Sequence, residues 1–214
     1  MTRIAFLHTG AVNIAPFGAL AAELVPGAEV VNYLDDKIVA DLRDDEHAAS
    51  VPARVEALVR AAADGGADIV MFTCSSISEL AAPAADAAGV RVLRVDEAMA
   101  DAAVAAGHRV RVLATLSTTS RPTIGLLHER AALAGRTPEI SDEVIEGAFD
   151  AVVSGDRATH DRLVGAAIER GAAEADVVVL AQASMAGAAE TITVDVPVLT
   201  SPRLGVERLA AALA

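Results

Sequence analysis

Seven short apolar runs rich in β-branched residues recur along the chain: Arg3–His8, Glu29–Leu34, Asp68–Thr73, Val90–Val95, Arg109–Thr115, Asp176–Ala181 and Val196–Thr200. Each is too short for a stable helix and apolar at consecutive positions, the pattern of a strand covered on both faces. Between or after them lie Pro52–Ala63, Glu79–Ala88, Glu97–Ala106, Pro122–Ala134, Thr159–Ala173 and Arg203–Leu213, where apolar residues recur at i, i+3 and i+4. That spacing predicts helices with one apolar face. Strands alternating with helices predict an α/β protein built on parallel sheets. Alanine lines the helix faces and permits close helix-on-sheet packing, so a chain with four Phe, one Tyr and no Trp can still pack densely.

The pattern also repeats. Arg3–Thr9 matches Arg109–Thr115, Ala67–Ile77 matches Ala175–Met185, and Val90–Leu93 matches Val196–Leu199, in the same order and at nearly the same spacing. This predicts two pseudo-symmetric lobes, 1–100 and 108–214, each a parallel sheet flanked by helices, with the C-terminal helix packing back on the first. Buried parallel strands resemble one another for ordinary packing reasons, which is the competing source of the similarity. Ligands of open α/β sheets bind beyond the carboxyl ends of the strands, so Thr73–Ser76 and Ala181–Ser184 are expected to line an inter-lobe cleft.

Composition narrows the function. The 17 Lys and Arg residues against 30 Asp and Glu give a formal charge of −13. That balance, with so few aromatics, argues against nucleic-acid binding, which needs clustered cations and stacking surfaces. No apolar stretch approaches the roughly 20 residues of a membrane span, and no secretory signal is evident, so a soluble cytoplasmic protein without membrane contact is expected. The single cysteine, Cys74, cannot form an internal disulfide. The single lysine, Lys37, sits in a polar stretch, which disfavours Schiff-base chemistry. Both glycine-rich phosphate cradles are absent, and His8, His47, His108, His128 and His160 show no metal-ligand spacing. The expectation is an enzyme without metal or cofactor.

Hydroxyls and one sulfur remain. Cys74 ends a strand just before a helix that Ser76 and Glu79 are placed to start as a capping box. A helix start favours the thiolate, and the same N–H groups with Thr73, Ser75 and Ser76 suit a carboxylate. The alternative is a small buried hydrophobe beside capping serines. In the second half, Thr115, Thr118 and Thr119 crowd hydroxyls before a helix with Pro122 in its first turn, which reads as an anion-binding turn or as an ordinary capped loop. His8 and Thr9, with Asn13 nearby, hold the equivalent place in the first half, where His8 could orient a substrate or the thiolate or simply be a satisfied polar group. Asp156 and His160 offer either a helix start or a second acid/base. Asp35, Asp36 and the acids of 41–46 read as solvated surface.

These residues together resemble the aspartate/glutamate/hydantoin racemase superfamily, which includes maleate isomerases and arylmalonate decarboxylase. The resemblance rests on the two-lobe repeat, on Thr73-Cys74-Ser75-Ser76 after a strand, on Val112–Thr115 with Thr118 and Thr119, and on Leu180–Met185. It implies cofactor-independent proton transfer at a carbon next to a carboxylate or carbonyl of a small acid. In the two-thiol racemases it implies one cysteine per lobe. Here Cys74 matches the first, whereas the repeat aligns Gln182, which has no titratable proton, with the second, and Ser184 lies two residues on. The leading expectation is therefore a cofactor-independent racemase/isomerase-type enzyme working by one-base chemistry. Cys74 is the acid/base, and Thr73, Ser75, Ser76, Thr115, Thr118, Thr119 and Gln182 hold an enediolate-like intermediate through donors worth about 3–4 kcal/mol each. A cofactor-free decarboxylase, a racemase using His8 or His160 as second base, and a non-catalytic small-acid binding protein are the alternatives. A homo-oligomer, ordinarily a dimer, is expected for such a fold.

Overall fold

A computed structural model describes residues 1–214, which divide into two compact units: Met1–Val95 with Gly205–Ala214, and Asp96–Leu204. The first unit runs β1 (Arg3–His8), α1 (Ile14–Leu24), β2 (Glu29–Leu34), α2 (Ile38–Asp41), α3 (Asp45–Ala48), α4 (Val51–Asp64), β3 (Ile69–Phe72), α5 (Ala81–Ala88) and β4 (Arg91–Arg94). The second runs α6 (Glu97–Ala106), β5 (Arg109–Ala114), α7 (Ser117–Leu133), β6 (Glu139–Val144), α8 (Ala148–Val153), α9 (Arg157–Glu174), β7 (Val177–Leu180), α10 (Ala186–Ala189) and β8 (Val198–Thr200). The last helix, α11 (Ser201–Leu213), carries the boundary between the units. Helix α6 thus folds with the second unit, and the final ten residues belong to the first.

The units share one plan. Their four-stranded sheets have the orders β2-β1-β3-β4 and β6-β5-β7-β8, with every pairing parallel. Register repeats too: Ile4 pairs Ile69 in one sheet, and Val110 pairs Val177 in the other. The central strands β1, β3, β5 and β7 are almost wholly buried because helices cover both faces, which is why they read as continuous apolar runs. Side-chain alternation then sorts the core of the second unit. Val110, Val112 and Ala114 turn toward α6 and α7, whereas Leu113, Val178 and Leu180 join Val164, Ala167 and Ile168 of α9. In the first unit Ala5, Leu7, Val70 and Phe72 pack on Val55, Val59 and Ala62, one helical stripe of α4.

Some elements escaped the pattern. Strand β6 (Glu139–Val144) is an edge strand with mostly exposed polar residues, so it lacks the apolar run by which its counterpart β2 was recognised. Helix α1 buries only Phe17 and Ala21 and shows little amphipathic contrast. The expected capping box at Ser76 and Glu79 does not form. Instead a 3-10 turn spans Ser75–Leu80, Cys74 stands at its N-cap without a side-chain cap bond, and α5 begins only at Ala81. Helix α7 starts at Ser117, so Pro122 lies inside it and not in its first turn. Asp35 and Asp41 are not solvated surface either. The Arg54 guanidinium bonds both carboxylates, Lys37 bonds Asp41 as well, and Asp41 is buried. This charge cluster ties the loop after β2 to α4.

The strands of both units start from a matched clasp. Asp68 accepts from the Arg3 amide at 2.8 Å, and Asp176 accepts from the Arg109 amide at 2.8 Å. Asp176 does more: it also takes the His108 amide at 3.0 Å and the Arg109 guanidinium at 2.7 and 3.0 Å. Gly107 makes the approach feasible, since a Cβ there would lie 2.4 Å from the Asp176 Cβ. The bonds from Arg109 pull the Asp176 carboxyl from 3.8 to about 2. A carboxyl depressed in the folded state stabilises it fully above the unfolded value and stops doing so as pH falls through the folded one. The melting-temperature gap between wild type and Asp176→Asn is therefore expected to be constant above about pH 5, to shrink between about pH 4 and 2, and to vanish below; a gap independent of pH would contradict this.

Candidate active site

Each sheet reverses its chain order between its two central strands, β1 and β3 in the first unit and β5 and β7 in the second. The loops leaving such neighbours diverge to opposite sides and leave a crevice at the carboxyl ends, the usual ligand position in open α/β sheets. The residues singled out in the sequence fall at these ends: Thr9 after β1, Thr73 and Cys74 after β3, Thr115 after β5, Gln182 after β7.

In the first unit Cys74 is partly exposed, while Thr73, Ser75, Ser76 and Ser78 around it are buried. One side of Cys74 leans on the core cluster of α4, α5 and β3. Its backbone is extended (φ −131°, ψ 122°), and its carbonyl accepts from the Ile77 amide and the Ser78 hydroxyl, both at 3.4 Å. A thiol in this position can meet a solute, unlike a cysteine sealed in a core. Thr9 is buried, and Asn13, on the turn before α1, donates its side-chain amide to the Thr73 carbonyl at 3.5 Å.

His8 is held differently from the substrate contact considered above. Its ring is fully buried, edge-on to Phe6 and Phe17 at 6.0 and 6.1 Å, with Nε2 2.9 Å from Asn32 Oδ1 and Nδ1 2.8 Å from Thr73 Oγ1. Both nitrogens are engaged, and burial lowers the pKa against the opposing effect of the Asn32 bond, which favours the neutral ring. Asn32 was missed in the sequence because it is one polar residue inside an edge-strand run, with nothing local to set it apart.

In the second unit Gln182 clasps Thr115. Its Oε1 accepts from the Thr115 amide at 2.6 Å, and its Nε2 donates to the Thr115 hydroxyl at 2.7 Å. The Thr115 oxygen is thereby an acceptor, which leaves its own proton free to point elsewhere as a donor. Thr119 is buried in the first turn of α7, where the Thr118 hydroxyl is also buried and makes no hydrogen bond. Ser120, next along, donates to Asp142 at 2.5 Å. Ser184 is partly exposed, and its carbonyl accepts from Arg157 at 2.8 Å.

His160 and Asp156 stand apart, on α9. Asp156 is its N-cap, accepting from the Thr159 amide at 3.0 Å, the helix-start reading of this segment. His160 is fully buried, with Nδ1 2.8 Å from Asp161 and Nε2 lacking a hydrogen bond. Both His160 on α9 and Arg54 on α4 are the fourth residue of their helix. Arg54 meets Asp35 and Asp41, whereas the corresponding places after β6 and on α8 are the buried apolar Ile145 and Ala151, so those places give Nε2 of the imidazole no partner. A sealed ring of this kind does not reach a substrate in the described conformation. No group of three or more His, Cys, Asp or Glu side chains is arranged to hold a metal ion, and no helix is long and apolar enough to cross a membrane.

The family model for Asp/Glu/hydantoin racemases matches residues 18–209. Similar folds occur in an aspartate racemase homologue from Pyrococcus horikoshii (TM-score 0.70, 16% identity, 100% of this chain and 99% of that one). They occur also in allantoin racemase from Klebsiella pneumoniae (TM-score 0.70, 21% identity, 100% and 87%). A mutant of arylmalonate decarboxylase in its liganded form matches as well (TM-score 0.63, 21% identity, 100% and 94%). No curated protein matches the chain by sequence.

The clasp has a measurable worth. Gln182→Leu leaves the Thr115 amide without its acceptor, and the unmade bond is expected to cost about 1–3 kcal/mol in urea unfolding; a loss below about 0.5 kcal/mol would mean that the amide finds another partner.

Proposed function

Because the chain belongs to the Asp/Glu/hydantoin racemase family, we propose that it is a racemase-type enzyme that moves a proton at a carbon next to a carboxylate or carbonyl of a small acid, with Cys74 as the transferring group and no cofactor. The observation that carries this reading is the partly exposed thiol at the β1/β3 reversal, flanked by buried hydroxyls. The thiolate takes the α-proton, the electron pair of the C–H bond moves into the neighbouring carboxylate or carbonyl, and the resulting enediolate or enolate is held by hydrogen-bond donors. Ser75, Ser76, Thr9 and Asn13 supply such groups beside Cys74 in the first unit. Their value is that they are already oriented when charge develops on oxygen. The thiol then returns a proton to the carbon.

The repeat bears on the number of bases. With an amide at Gln182, where the repeat would place a second thiol, and with His160 sealed, the residues offer one acid/base, Cys74, which by itself exchanges the proton on one face and suits a one-sided isomerisation, not a two-thiol racemisation. The same arrangement favours a second reading, a decarboxylase of the arylmalonate type. There the C–C bond to a carboxylate breaks, CO2 leaves with no base required, and the Cys74 thiol protonates the enediolate from one side.

Incubation of small chiral and malonate-type carboxylates in D2O, followed by NMR and chiral chromatography, separates the two. The racemase-type reading predicts α-deuteration that outpaces inversion without CO2 release; the decarboxylase reading predicts CO2 with one deuterium in a single enantiomer. Cys74→Ala is expected to lower either rate by about 10²–10⁴-fold, the usual contribution of a positioned acid/base. Full activity in that variant would remove Cys74 from the chemistry, and binding without turnover by the wild type would point to a small-acid sensor.

A further inference from the structure

The buried ring of His8 has no place in the proton transfer just described, yet it is among the most completely bonded side chains in the first unit. Asn32, on the neighbouring strand, presents its Oδ1 to Nε2 at 2.9 Å, so Nε2 carries the proton. In a neutral ring Nδ1 is then a bare acceptor, and it lies 2.8 Å from Thr73 Oγ1. The Thr73 hydroxyl has a second acceptor within reach, the Leu7 carbonyl at 3.1 Å, and only one proton to give. The same residue's amide bonds Leu7 O at 3.1 Å, and its carbonyl takes the Asn13 amide at 3.5 Å. Thr73 is therefore gripped through backbone N–H, backbone C=O and side chain at once, and the residue attached to its carbonyl is Cys74.

Resting on the reading of Cys74 as the proton-transfer group, we propose that His8 is a positioning residue. Its neutral imidazole, set in one tautomer by Asn32 and packed edge-on against the contacting rings of Phe6 and Phe17, takes the Thr73 hydroxyl and so fixes the direction from which β3 presents Cys74. His8 acts through Thr73 and touches no substrate. Asn32 is exposed, so the chain of bonds runs from the surface of β2 across the buried ring to the residue before the thiol. In the repeat, the place of His8 is taken by Ala114 and that of Thr73 by Ala181, and the strand end that lacks the thiol lacks the brace as well.

The test uses the intact chain and iodoacetamide, whose reaction with Cys74 needs no knowledge of the substrate. The second-order alkylation rate is measured from pH 5 to 10 for wild type, His8→Ala, Thr73→Val, His8→Asn and Thr73→Ser, with thermal melts alongside. Asn offers an Oδ1 near the Nδ1 position, and Ser keeps the hydroxyl. Removal of the brace in His8→Ala and Thr73→Val is expected to change the plateau rate by about three- to tenfold and to displace the whole profile from that of the wild type, with His8→Asn and Thr73→Ser restoring wild-type behaviour. One profile shared by all five proteins, with or without a change in melting temperature, overturns the proposal. So does a shift in Thr73→Val that Thr73→Ser fails to restore. Failure here with proton exchange still dependent on Cys74 would sink only the brace. A normal brace with Cys74→Ala fully active would sink only the catalytic assignment.

Discussion

The reversal of strand order at the middle of each sheet is the constraint from which the rest follows. Once β2 lies to one side of β1 and β3 to the other, the loops after β1 and β3 leave in opposite directions, and the carboxyl ends of the two buried strands are where their residues meet. The same holds after β5 and β7. Chemistry can therefore concentrate in the few residues where a buried strand becomes a loop, and both units place hydroxyl, amide or thiol groups there. Parallel pairing also requires each strand to be covered on both faces, which explains the helices on either side and the alanine that lets them approach.

The local character of these strand ends is neutral. Thr73, Ser75, Ser76, Thr115, Thr119 and Gln182 are donors and acceptors without formal charge, and the one imidazole among them is buried in conditions that favour its uncharged form. The ion network of Arg54 with Asp35, Asp41 and Lys37 is internally balanced and spent on holding the loop after β2. Such surroundings suit a reaction in which charge appears on a substrate oxygen and is met by oriented dipoles already in place.

Much of this was legible in the sequence, and the gaps have physical causes. The central strands stand out because burial on both faces leaves almost only apolar residues, and the repeat by itself pairs Cys74 with Gln182. Strand β6 was missed because an edge strand has no such requirement, although its place opposite β2 in the repeat would have exposed it. The role of His8 was left open among alternatives, since nothing near it in sequence reveals that Asn32 and Thr73, far apart along the chain, close on its two nitrogens. Asp35 and Asp41 were misread for the same reason: their partner Arg54 is a tertiary neighbour, invisible to local charge patterning. The capping box at Ser76 failed because a 3-10 turn, not an α-helix, follows Cys74.

The strand-start clasps break the repeat in a way that bears on how the two units open. In the second, one carboxylate gathers two consecutive backbone amides and a guanidinium, whereas in the first Asp68 takes the Arg3 amide and the Arg3 guanidinium turns to Glu29 and the Gly65 carbonyl. The base of β5 is thus closed by a single residue and the base of β1 by several separate ones. Fluctuations that fray a sheet from its amino end meet one concentrated lock in one unit and a distributed set in the other, so halves that descend from the same pattern are not equivalent cooperative units in native-state exchange.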